Sequence, residues 1–215
     1  MNKSVVIAGS TGLVGKALLR KVTADSFFNK INTLVRYQSI TTMPEVKEIV
    51  SDFNTIHHLP KADILVICLG TTRKKAGSKE AFRKVDYGYV TRLARLAESE
   101  NYEKIIVISS YGANAASGNF YLKVKGQMED VVQTVNIPAR VIIRPSLLLG
   151  KRDEFRFGES MAAFVMKVIM PVLKGRMLKY KPVKDTQVAD AIIKLAKEPL
   201  NGIKIIEPQW IHKNT

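Results

Sequence analysis

Seven residues constrain this chain more than any others: Gly9, Ser10, Thr11, Gly12, Leu13, Val14 and Gly15. They follow an apolar run, Val5, Val6, Ile7 and Ala8, and open a stretch in which Leu13, Val14, Ala17 and Leu18 recur at helical spacing. Strand, glycine-rich turn, helix is the arrangement that sets a helix N-terminus against a pyrophosphate. One glycine closes the turn, a second lets phosphate approach the backbone, and a third lets the helix lie against the strand. The spacing is G-x-x-G-x-x-G. Glycine-rich turns are common, so the turn gains meaning only from what the rest of the chain supplies.

Beyond the turn, strand-length apolar runs alternate with helix-periodic segments. The runs are 4–8, 31–36, a weaker one at 46–50, the continuously apolar 64–69, then 105–108, 140–143 and 203–206. Between them, Val90, Leu93, Ala94 and Ala97 make one helical stripe. Tyr121, Val124, Met128, Val131 and Val135 make another, and a third helix follows Asp185 as its N-cap. Such alternation predicts an α/β fold, a doubly wound, mostly parallel sheet of Rossmann type. At 215 residues the chain reads as a single domain. Residues 151–183 break the alternation and read as a small substrate-side insertion or covering portion; within it, 161–173 reads as an apolar helix interrupted by Pro171.

The single cysteine, Cys68, excludes an internal disulfide framework and reads as an inert buried thiol. No secretory signal is visible and no apolar stretch has bilayer length, so a soluble cytoplasmic protein is expected. The net charge of +15 is spread along the chain without a nucleic-acid motif, which argues against specific nucleic-acid binding. It leaves room for a weak contact with an anionic membrane surface, or for steering of an anionic ligand. His57, His58 and His212 lack the spaced partners of a metal site, and none is expected. A monomer or homodimer is expected.

The cofactor side can be read by register. The second run ends at Arg36, about 20 residues past the turn, where a carboxylate would bind the ribose hydroxyl of NAD and an arginine accommodates the 2′-phosphate of NADP. A guanidinium offers bidentate donors to phosphate, which puts NADP ahead of NAD. Asp52 and Phe53 end the third run, where Asp52 could accept a hydrogen bond from adenine. Leu69, Gly70 and Thr71 end the fourth, beside the crevice at the carboxyl edge of the sheet.

The reaction centre lies past the fifth run, which ends in Ser109 and Ser110. Tyr121 and Lys125 come next, four apart on the start of a helix and so on one face. A phenol titrates near about 10 in water, and a nearby ammonium favours the phenolate. With a serine hydroxyl holding a carbonyl oxygen, Tyr121 could pass a proton while hydride moves to or from nicotinamide, and Lys125 could also bind the nicotinamide ribose. Strand-end register favours Ser110, with Ser109 next.

The turn, Ser110, Tyr121 and Lys125 together resemble the short-chain dehydrogenase/reductase superfamily in its atypical branch. The segments Cys68 to Ser78, Val85-Asp86-Tyr87, Ser109 to Asn114, Phe120 to Gly126 and Ile143-Arg144-Pro145-Ser146 look more narrowly like the Tat-interacting-protein-like oxidoreductases. That resemblance implies an NADP-binding Rossmann domain acting on a small carbonyl or alcohol substrate, with Arg144, Pro145 and Ser146 lining the nicotinamide pocket. The chain departs from the wider superfamily at Asp86, where many members carry an asparagine that supports the proton relay. The family also contains redox-sensing members, and sugar-nucleotide epimerases or dehydratases use a similar centre, so a sensor and an epimerase stay open as alternatives.

Overall fold

A computed structural model of the protein describes residues 2–38, 43–149 and 175–215. Seven parallel strands carry the fold: β1 (Lys3–Ala8), β2 (Phe28–Val35), β3 (Val46–Val50), β4 (Ile64–Ile67), β5 (Lys104–Ile108), β6 (Ala139–Ile143) and β9 (Gly202–Ile206). Their order is β3-β2-β1-β4-β5-β6-β9. The central strands β4, β5 and β6 are buried along nearly their whole length, which is why they read as unbroken apolar runs. A short pair, β7 (Leu148–Leu149) with β8 (Val183–Lys184), lies apart from this sheet.

Helices cover both faces. On one face α1 (Leu13–Thr23) packs beside α6 (Asp185–Lys197), burying Val14, Leu18 and Val22 with Val188, Ile192 and Leu195. On the other, α4 (Val90–Ser99) and α5 (Phe120–Thr134) bury Val90, Leu93, Met128 and Val132 against Leu65, Ile105 and Val107. The doubly wound reading therefore holds. The strand order reverses beside β1, and the crevice lies between the carboxyl ends of β1 and β4.

One local expectation is corrected, and two helical stretches join those that periodicity shows. Asp185 is the first residue of α6 and Lys184 holds the cap position, where its N–H donates to the Gln187 side chain (3.1 Å). Past the last strand, Pro208 opens α7 (Pro208–Asn214), its fixed φ suiting a first helical turn. Most of the stretch before α4 is helical too. The helices α2 (Arg73–Ala76) and α3 (Lys79–Arg83) are followed by a π-helical stretch, Lys84–Tyr89, that runs straight into α4. The 161–173 helix and most of the 151–183 insertion lie outside the described residues.

One buried cation ties the sheet to a helix end. Lys104, at the start of β5, donates to the carbonyls of Leu195, Ala196 and Glu198 (2.9, 2.8 and 2.7 Å) and so closes the C-terminus of α6.

Candidate active site at the carboxyl edge of the sheet

The glycine turn is built by backbone crowding. Gly9 has φ +90°, and a Cβ there would lie 2.8 Å from the Cys68 carbonyl carbon. A Cβ on Gly15 would lie 2.0 Å from the Gly9 oxygen. These two positions exclude side chains because β4 and α1 come too close. Gly12 differs: its nearest neighbour is the Gly9 oxygen at 3.3 Å, and it is exposed. It stands at the N-cap of α1, a helix whose first turn holds no acidic residue and no capping side chain. Ser10 is buried within the turn and Thr11 is exposed.

The neighbouring strand ends complete this flank. Leu34 of β2 pairs with Ala8, so Arg36, exposed just past β2, comes to the same edge as Gly9. Asp52 is exposed beyond β3. Its carboxyl is held below the usual carboxylate range by the Asn54 backbone N–H (2.9 Å) and side-chain amide (2.6 Å). Phe53 is buried, its ring 5.5 Å from that of Tyr89, so its contribution to the edge is its backbone. Burial pushes the Cys68 thiol up to about 12, in keeping with an inert residue.

Beyond β4 the site changes character. The Thr71 N–H donates to Asp86 Oδ2 (2.8 Å), and Asp86 Oδ1 pairs with Lys125 Nζ at 2.9 Å. Both side chains are almost fully buried, 1% and 4% exposed. Lys125 also donates to the Ile108 carbonyl (3.4 Å) at the end of β5. Burial works against the ammonium, but Asp86, Tyr121 and Glu129 outweigh it, and Lys125 holds its proton above the ordinary lysine value. Asp86 reaches this position from the π-helical stretch, a widened turn of the kind found where a helix must re-aim one residue.

Tyr121 lies one turn before Lys125, partly exposed, its ring 5.7 Å from Phe82. The helix that carries both is set in place by Asn119, whose side chain accepts from the Leu122 N–H (3.2 Å), and by Gly126. A Cβ on Gly126 would lie 2.1 Å from the Ala115 nitrogen, so α5 lies directly on the loop after β5. In that loop Ser109 is buried with its hydroxyl unpartnered, while Ser110 is less buried and its hydroxyl makes a 3.4 Å bond to the Tyr111 carbonyl. The Tyr111 N–H donates to the Pro145 carbonyl (2.9 Å), joining this loop to the turn after β6.

Two residues of that turn have structural partners. Arg144 grips Glu129 of α5 through Nε and Nη2 (3.0 and 2.5 Å) and pairs with Glu207 at 3.1 Å. Ser146 donates to the Lys181 carbonyl (2.5 Å). The Arg144 guanidinium thus ties β6 to α5 and the chain end, and the nicotinamide-side reading rests on the backbone of the turn and on Pro145.

A parallel sheet with this strand order, a glycine-crowded turn after its first strand and a Tyr-x-x-x-Lys helix against its fifth define a Rossmann-type protein of the short-chain dehydrogenase/reductase class. The sequence profile of HIM1 matches residues 23–181, and the chain belongs to that family. Protein FMP52 of Lodderomyces elongisporus is 32% identical over 216 residues, 94% of this chain and 90% of that protein. Rat HTATIP2 is 37% identical over 169 residues, 75% of this chain and 69% of that protein. Among solved structures, MoeE5 in complex with UDP-glucose and NAD superposes with a TM-score of 0.71 at 13% identity, over 94% of this chain and 74% of that one. The UDP-N-acetylglucosamine 4-epimerase of Methanobrevibacter ruminantium gives 0.70 at 16%, over 96% and 76%. At these identities the likeness is one of fold.

The relatives correct one expectation. FMP52 of Lodderomyces elongisporus, Debaryomyces hansenii and Candida albicans is named a mitochondrial protein, which overturns the cytoplasmic reading. A lone cysteine excludes an internal disulfide, and among the described residues no helix is long and apolar enough to cross a membrane; neither fact says which compartment holds the protein.

Proposed function

We propose that the protein is an NADP(H)-dependent oxidoreductase acting on a small carbonyl or alcohol, with Tyr121 as the acid-base group, and that it works in mitochondria as its FMP52 relatives are named. The observation that carries this reading is the convergence at one sheet edge of an uncovered, acid-free helix N-terminus at Gly12 and of Tyr121 above the buried Lys125. The crowding that excludes side chains at Gly9 and Gly15 relaxes at the exposed Gly12, which fits a pyrophosphate seated on the turn at the start of α1.

In this reading Ser10, Thr11, Leu13 and Val14 complete the pyrophosphate seat, and Arg36 takes the 2′-phosphate. The backbone after β3, at Asp52 and Phe53, flanks adenine, while Leu69, Gly70 and Thr71 flank the ribose. A bound nicotinamide supplies the hydride. Ser110 donates a hydrogen bond that orients the carbonyl oxygen, with Ser109 behind it. Tyr121 moves the proton at that same oxygen, and Lys125 holds the nicotinamide ribose. Pro145 and the backbone of the β6 turn limit where the ring can lie.

Titration with NADPH and with NADH, followed by nicotinamide fluorescence, tests the cofactor. Tighter NADPH binding, reduced about tenfold by Arg36→Ala, is expected. Equal or tighter NADH binding would remove Arg36 from the site. Consumption of NADPH with aldehydes, ketones and quinones then separates an enzyme from a sensor.

A further inference from the structure

The Asp86–Lys125 pair suggests more than a scaffold. Asp86 is the carboxylate paired with Lys125, and its second oxygen is taken by the Thr71 N–H. The three elements so joined are the loop after β4, the π-helical stretch and α5. Glu129, one turn beyond Lys125, is committed to Arg144, and the face of α3 packed on the Tyr121 ring presents the uncharged Phe82. Among the described residues, the charged groups that act on Lys125 beside Tyr121 are Asp86 and, after it, Glu129. The Lys125 ammonium, one turn past Tyr121, has the Asp86 carboxylate at 2.9 Å.

We propose that Asp86 is a positioning residue that holds Lys125 as half of a charge-neutral pair, and so poises the site for carbonyl reduction rather than alcohol oxidation. The inference rests on the reading of Tyr121 as the acid-base group. A tyrosine beside a neutral pair meets its substrate with the proton on, as a general acid must; beside an unpaired ammonium it gives that proton up more readily. In the reductive direction Tyr121 gives its proton to the carbonyl oxygen as the carbonyl carbon accepts hydride from a dihydronicotinamide. The carbonyl is reduced to an alcohol, the dihydronicotinamide is oxidised, and the phenolate regains a proton from water. The tether to Thr71 adds a second role: it keeps Lys125 in register with the β4 edge, where the ribose would lie.

The test tracks tyrosinate absorbance against pH, taking the part that disappears in Tyr121→Phe as the signal of this one residue. In Asp86→Asn the Tyr121 signal is expected to move to lower pH, a gain of about tenfold in acidity, because Lys125 is no longer neutralised. A titration that superimposes on that of the unsubstituted protein would overturn the proposal. If Asp86→Asn does not fold, the double variant Asp86→Asn with Lys125→Gln replaces the pair by two amides. Removing a neutral pair whole should leave the Tyr121 signal in place, and a move to higher pH would show that Lys125 acts unneutralised. The absorbance needs neither cofactor nor substrate. Failure of NADPH to bind or turn over would defeat the functional reading and leave this result standing, while an unmoved titration in a protein that consumes NADPH would defeat the Asp86 proposal alone.

Discussion

The two flanks of the crevice are held in shape by different forces. On the β1 side, backbone presses on backbone, and the design is an absence of side chains: nothing larger than hydrogen fits at Gly9 or Gly15. On the β5 side, paired charges do the holding, Asp86 with Lys125 in the interior and Arg144 with the buried Glu129 and the more exposed Glu207. The first kind of support is short-range and tolerates no added atom. The second spans dozens of residues and tolerates no removed charge. A seat for a ligand that must be bound the same way each time suits the first. A group whose proton affinity must be tuned suits the second.

Opposite responses to substitution are expected from the two flanks. The largest effect belongs to the charged flank: Lys125→Met strands the Asp86 carboxylate in the interior and should cost about 3–5 kcal/mol in denaturant unfolding. A loss under about 1 kcal/mol would mean that the pair is not carrying the helix. On the glycine flank Gly15→Ala should cost about 3 kcal/mol, since its Cβ meets backbone at 2.0 Å. Gly12→Ala, whose Cβ would meet only the Gly9 oxygen, at 3.3 Å, should cost about 1 kcal/mol yet weaken NADPH binding about tenfold or more, because the added methyl stands where phosphate would approach. If the two alanines destabilise the fold equally, the division of labour within the turn is wrong.

The smallest effect belongs to the opposite end of the sheet, where Asp63 accepts from the Ser4 N–H and hydroxyl, both at 2.6 Å, and pairs with Lys3. Burial pushes this carboxyl up, but the Ser4 bonds and Lys3 outweigh it and hold it below the usual range. A carboxyl held low contributes stability that is present above the ordinary carboxylate value and lost as pH falls through the folded value. Asp63→Asn should therefore cost about 1 kcal/mol at neutral pH and nothing in strong acid. A cost independent of pH would assign the effect to shape instead of charge.

The same division explains which features are legible in the sequence. The glycine turn, the buried strands and the Tyr-Lys spacing are local patterns, each written within a dozen residues or so, and each falls where its pattern points. The partnerships on the other flank are not local. Asp86 stands out as a departure from an asparagine, but its pairing with Lys125 depends on a π-turn, which leaves no periodic signal in Lys84–Tyr89. Arg144 is placed at the nicotinamide pocket by the family resemblance; only the fold brings Glu129 and Glu207 to it. Lys104 gives no hint that it closes a helix more than ninety residues away, where it reaches Leu195 and Ala196. The short α7 escapes because seven residues give too few turns for periodicity, although Pro208 at its first position is a helix-start signal.

The central claim is that a proton passes through Tyr121 while hydride passes between nicotinamide and a carbonyl. The most direct measurement is NADPH consumption with the best substrate of the aldehyde, ketone and quinone panel, compared between the unsubstituted protein and Tyr121→Phe, with NADPH affinity measured on both. Turnover is predicted to fall about 10²-fold or more while NADPH binding is unchanged. Turnover that survives the substitution intact would contradict the claim.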